Sequence, residues 1–215
     1  MANKAFKLLQ ALHDDDDSFI HESLRDKTTQ LWINNAPCIR QLKNPKFHFH
    51  EDHHFTTCLG FACKRNSFAT MCSLVKAGAK INICMDSFGN SALHRVCDSD
   101  IERLTKATYL LELEPSLVHA RDRSNSTPLH DCAEAGYCDV MALLLSHDAE
   151  VNAMDLKRMT PLHIAAQEGQ LEAVKMLAQN SRCDVTLTNS DGKTAADVAR
   201  EQDYQEIVNY LENIA

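Results

Sequence analysis

Histidine and cysteine are the residues of this 215-residue chain whose spacing could support chemistry. The segment FHFHEDHHF, residues 47–55, places His48, His50, His53 and His54 close together, with Cys58 following. Imidazole and thiolate are zinc ligands, and four of them can hold the ion at about 2 Å. His48 and His50, however, alternate with Phe47 and Phe49 as a short half-exposed strand would, and the set lacks the paired spacings of structural zinc sites. No metal and no cofactor are therefore expected, and these four histidines are the candidates should one bind.

His94, His130 and His163 recur at one position of a longer pattern. Ligands drawn from successive stacked units would sit about 10 Å apart, too far for one metal shell, so no shared metal site is expected of them. The chain contains no GxGxxG or GxxxxGK[ST] loop, no GxSxG elbow and no HExxH pair. No catalytic residue is assigned, and an enzyme is not expected.

The elements that carry these histidines repeat. LHDCAEAG at 129–136 returns as LHIAAQEG at 162–169, 33 residues on. The same register begins at Thr57, Ser91, Thr127, Thr160 and Thr194, with spacings of 34, 36, 33 and 34. A second apolar block follows each start: MCSLV, TYLLEL, VMALLL, AVKML and EIVNYL. Each unit therefore reads as two short helices, joined to the next by Asn-, Asp- and Gly-rich turns with brief extended segments. Thr before Pro128 or Pro161 suits a helix start, because the hydroxyl caps the first turn and proline loses no needed donor there.

This pattern resembles the ankyrin family, whose unit reads roughly as Asp, a few variable residues, TPLHxAAxxG, a helix ending in LLL, then GADVN. The resemblance covers about residues 52–213, through five repeats at about 52–85, 86–121, 122–154, 155–188 and 189–215. It is strong from Asp122 and Asp155, and weak from Asp52, where CLG replaces PLH. It implies an all-α solenoid of helix-turn-helix units with β-hairpin loops. In such a solenoid the terminal units need polar caps, and the last unit shows one: AAD at Ala195–Asp197, then Asp203, Glu206 and Glu212. Cys63, Cys97 and Cys132 fall at small-residue positions and read as packing groups.

Residues 1–50 lie outside the repeat. Phe6, Leu9 and Leu12, then Ile20, Leu24, Leu31 and Trp32, recur at helical spacing, predicting two or three helices that form an N-terminal cap or an added binding element. The acids Asp14 to Asp17 suit the start of a helix.

Composition narrows the partner. The net charge of −8 opposes binding to nucleic acid or anionic lipid, both of which reward Lys and Arg clusters. No stretch approaches the roughly 20 apolar residues of a membrane span. Nine cysteines without a CxxC pair, and no secretory leader, point to a reducing compartment: the cytoplasm, or also the nucleus.

The resemblance implies binding of a protein or peptide along a concave surface of hairpin tips and first helices. In this chain those positions include Met85, Phe88 and Asn90; Arg121, Arg123 and Ser126; Met154, Leu156, Lys157 and Met159; and Gln167 and Glu168. Met, Phe and Leu with interleaved Arg at solvated tips are what binding hot spots look like. The expected function is that of an adaptor, inhibitor or assembly chaperone, monomeric alone. A regulator of a transcription factor similar to the kappa-B inhibitors is one alternative, although no DSGxxS signal precedes the repeats. A binding protein stabilised by metal at His48 to His54 is the other.

Overall fold

A hydroxyl and a histidine start most of the first helices. Ser91 Oγ accepts from His94 N–H at 3.4 Å, while His94 Nδ1 accepts from the Ser91 backbone at 3.2 Å. Thr160 and His163 repeat the exchange at 3.4 and 3.3 Å, and Thr127 donates to His130 Nδ1 at 3.1 Å. In the last unit Asp197 replaces the imidazole, its Oδ2 accepting from Thr194 N–H at 3.0 Å. These reciprocal bonds satisfy donors that a helix start otherwise leaves without partners.

The computed structural model describes residues 8, 11–12, 16–25, 57–65, 67–83, 85–99 and 102–214. Its helices are α1 (Asp17–Leu24), α2 (Cys58–Arg65), α3 (Phe68–Lys76), α4 (Ala92–Cys97), α5 (Arg103–Leu113), α6 (Pro128–Ala135), α7 (Cys138–Ser146), α8 (Pro161–Gln167), α9 (Leu171–Ala178), α10 (Ala195–Glu201) and α11 (Gln205–Glu212). A 3-10 turn covers Pro115–His119. No β-strand is formed among the described residues, so the connections expected as β-hairpins are tight turns. The chain divides into two compact units, residues 1–117 and 118–215.

In the first unit α2 packs on α4 and α3 on α5, each helix also packing on its own pair, and α1 lies against α3. Asp16 caps α1 by accepting from Phe19 N–H at 3.0 Å. Leu59, Met71, Leu74, Leu93, Leu110 and Leu111 fill the core. Two side chains of the following repeat satisfy last-turn carbonyls of α2. Ser99 Oγ donates to Lys64 O at 2.8 Å, and the fully buried Lys106 donates to Cys63 O at 3.1 Å. A cation suits that negative helix end. The Phe68 and Tyr109 rings meet nearly perpendicular, their centroids 5.4 Å apart.

The weak first repeat has a physical reason. Gly60 stands where later units carry the histidine, and a Cβ on it would lie 2.7 Å from Met85 Cβ and 2.9 Å from Met85 O. The Asn90 carbonyl, at the position where later units receive the histidine proton, accepts instead from Met85 N–H at 2.6 Å.

In the second unit the first helices stack as α6, α8 and α10, and the second helices as α7, α9 and α11. Leu129, Leu162, Val140, Leu144, Val174 and Ile207 line the seam. Phe6, Leu9, Leu31, Trp32 and the candidate ligands His48, His50, His53 and His54 lie outside the described residues.

Candidate functional site

One aspartate or asparagine builds each turn between units. Asp86 Oδ1 accepts from Phe88 and Asn90 N–H at 2.9 and 3.2 Å. Asp122 does the same for Ser124 and Ser126 at 2.8 and 2.7 Å, and Asp155 for Lys157 and Met159 at 2.8 and 2.7 Å. Asn189 completes the set with Asp191 and Lys193 at 2.9 and 3.0 Å. The fourth residue of each turn is left-handed: Gly89 (φ 85°), Asn125 (63°), Arg158 (59°) and Gly192 (75°). The turns thus satisfy their own amides and present the side chains at their tips outward.

In the second unit the tips also bond to one another. Leu156 N–H donates to Ser124 O, and Ser190 N–H to Lys157 O, both at 2.9 Å. Arg121 donates to Asn125 O at 3.0 Å and Met154 O at 3.1 Å, and pairs with Glu150 at 2.8 Å. Asn125 Nδ2 adds a 2.8 Å bond to Met154 O. Arg121, expected among the partner-binding residues, therefore clamps consecutive turns, its charge shared with Glu150.

Several expected surface anchors are interior. Met85 is fully buried beneath Gly60, and Asn90 is buried with Nδ2 on Asp86 Oδ2 at 3.0 Å. Met159 is buried as well, its sulfur receiving Asn189 Nδ2 at 3.4 Å and its carbonyl facing His130. As core residues these three do not supply exposed contacts, which corrects the expectation that all the tip methionines face solvent. Ser126 and Met154 are half-buried.

The others are open to solvent. Leu156 is 73% exposed, the most of any large apolar residue described, and Phe88 of the first unit is 48% exposed. Arg123, Lys157, Gln167 and Glu168 are exposed, with Gln167 donating to Glu168 at 3.1 Å. The second unit therefore brings together Arg123, Met154, Leu156 and Lys157 on two bonded tips. Arg158, which sequence reasoning passed over, is exposed beside them. Its signal was positional, since Gly89 and Gly192 hold the same place in sister turns.

Buried titratable groups in each unit are tuned for packing. Burial lowers the pKa of His130 and His163. Burial also pushes the thiols of Cys58 and Cys63 up to about 12, so both stay protonated and unreactive. Among the described residues no group of three or more His, Cys, Asp or Glu is placed to hold a metal, and no helix is long and apolar enough to cross a membrane.

Residues 59–155 match the family model "Ankyrin repeats (3 copies)", and residues 144–199 match "Ankyrin repeats (many copies)". The chain belongs to the ankyrin-repeat family. Ankyrin repeats are protein-interaction modules. The Drosophila melanogaster ankyrin repeat and KH domain-containing protein mask is 34% identical over 101 residues, 46% of this chain and 2% of that protein. Protein phosphatase 1 regulatory subunit 12A of Mus musculus is 41% identical over 92 residues, 43% of this chain and 8% of its own length. The serine/threonine-protein kinase VIK of Arabidopsis thaliana is 51% identical over 43 residues, 20% of this chain and 10% of that protein. The ankyrin chain spans a tenth or less of each of these relatives.

Proposed function

We propose that this ankyrin protein is a non-catalytic binding module, acting as an adaptor, inhibitor or assembly chaperone, that holds a protein partner on the turn tips and first helices of residues 118–214. The observation that carries this reading is Leu156. A leucine 73% exposed on a turn whose backbone N–H groups all have acceptors adds no buried apolar surface to the fold. Held rigidly beside Met154 and Arg123, it can fill a partner's pocket without first being ordered. The likeness to a phosphatase regulatory subunit favours control by binding.

The test is affinity capture from the source cells with the full chain, using Leu156→Glu as matched control. The buried Met159 is unsuitable for that control, because a charge there would unfold the unit. A protein retained by wild type and lost by a folded Leu156→Glu chain supports the reading. Equal retention of every captured protein contradicts it.

A further inference from the structure

The tips of the second unit differ in charge from the chain that carries them. The whole chain is acidic, at −8, yet the turns at 121–126, 154–159 and 189–193 hold five cations against three carboxylates. Two of those carboxylates, Asp122 and Asp155, are turned inward onto backbone amides. Two of the cations are engaged, Arg121 with Glu150 and Lys193 with Glu201. Arg123, Lys157 and Arg158 are exposed and make no ion pair among the described residues. They flank Leu156 on two tips joined by the bond from Leu156 N–H to Ser124 O at 2.9 Å.

Three cations without pairs around one apolar side chain are complementary to an extended acidic segment that carries an apolar residue between its acids. We infer that the partner presents such a segment, Glu or Asp on either side of one large apolar side chain, to Arg123, Leu156, Lys157 and Arg158. The inference rests on the proposed function and deepens it by naming the ligand's chemistry. Stacked units repeat at a helix–helix distance of about 8–10 Å, and an extended chain rises about 3.3 Å per residue. Acids about three residues apart therefore reach cations on consecutive tips, with the apolar residue between them on Leu156. A nucleic acid fits less well, because it offers no apolar side chain for Leu156 and its continuous charge would meet the exposed Glu134 and Glu168.

The test is fluorescence anisotropy of the full chain with a labelled peptide of about a dozen residues repeating Glu-Gln-Leu-Glu, its all-Gln analogue, and an oligothymidylate of matched charge. The variants are Arg123→Glu/Lys157→Glu and, away from the tips, Lys175→Glu, each checked for wild-type melting. The acidic peptide is expected to bind at least about tenfold more tightly than either competitor. It should lose about tenfold or more in the double variant and again when salt rises from about 50 to about 300 mM, while Lys175→Glu leaves it unchanged. Equal binding of the Gln analogue, equal or tighter binding of the oligonucleotide, no binding of the acidic peptide, or insensitivity to the double variant would each overturn the inference. A partner captured through Leu156 but indifferent to salt and to the double variant would leave the surface assignment standing while the acidic chemistry fails.

Discussion

His130 Nε2 lies 3.1 Å from the main-chain oxygen of Met159, one repeat further along the chain. His163 makes the same contact with Lys193 O at 3.1 Å. A carbonyl oxygen only accepts, so Nε2 carries the proton and Nδ1 accepts from the threonine that starts the helix. One neutral imidazole thus holds a helix cap in its own unit and a turn in the next.

Stability should therefore fall in mild acid. Burial is the main cause that lowers both histidine pKa values, so as pH falls the unfolded chain takes up protons first. The sign follows: these groups contribute fully above an unfolded value of about 6.5, and stability declines as pH drops below it, levelling off once the folded-state values are passed. Each proton steepens the slope by up to about 1.4 kcal/mol per pH unit. Urea midpoints at about pH 7.5, 6.5 and 5.5 should show the decline. His130→Gln/His163→Gln should be less stable at the highest pH but flatter across the range, and an unchanged slope in that variant would show that other groups cause it.

Three glycines at similar φ should respond differently to alanine. Gly192 (φ +75°) faces open space, so only backbone strain is added, about 1 kcal/mol. Gly136 (φ +72°) would meet the Gln170 side chain, with Cδ at 2.8 Å, which can swing away. Gly169 (φ +72°) would press the Tyr204 ring at 2.7 to 3.0 Å and should cost a further 1 kcal/mol or so. The order of the three melting points checks this, and Gly192→Ala proving the most harmful would refute it.

Arg158→Gly should stabilise the chain by about 0.5–1 kcal/mol, because arginine there holds φ at 59° where sister turns use glycine. A higher urea midpoint with an unchanged slope is the expected result. A lower midpoint would mean that the arginine side chain contributes more than its backbone strain costs.

The buried thiols should report opening of the first unit. Cys58 and Cys63 are 1% and 0% exposed and protonated up to about pH 12, so iodoacetamide at mild alkaline pH should leave them unmodified in the native chain and label them in denaturant. Rapid native labelling of either, read by mass spectrometry, would place the α2 region outside the stable core.

Much of this was legible in the sequence because it is local. The hydroxyl caps and the Asp-led turns depend on residues two to four apart, and a period of 33 to 36 residues displays them repeatedly. Burial of Met85 and Met159 was not legible, since it depends on what the neighbouring repeat leaves open: a glycine at position 60, and Asn189 beside the Met159 sulfur. The same applies to Arg121. Its charge reads as available until Glu150 and the Met154 carbonyl, 29 and 33 residues away, are seen to engage it.

The measurement that bears most directly on the binding surface is amide hydrogen exchange of the full chain with and without its captured partner. Added protection centred on residues 122–126 and 154–159 is predicted, with the second helices α7, α9 and α11 unchanged. Protection confined to those second helices, or to α1 and α3, would contradict placement of the partner on the turn tips.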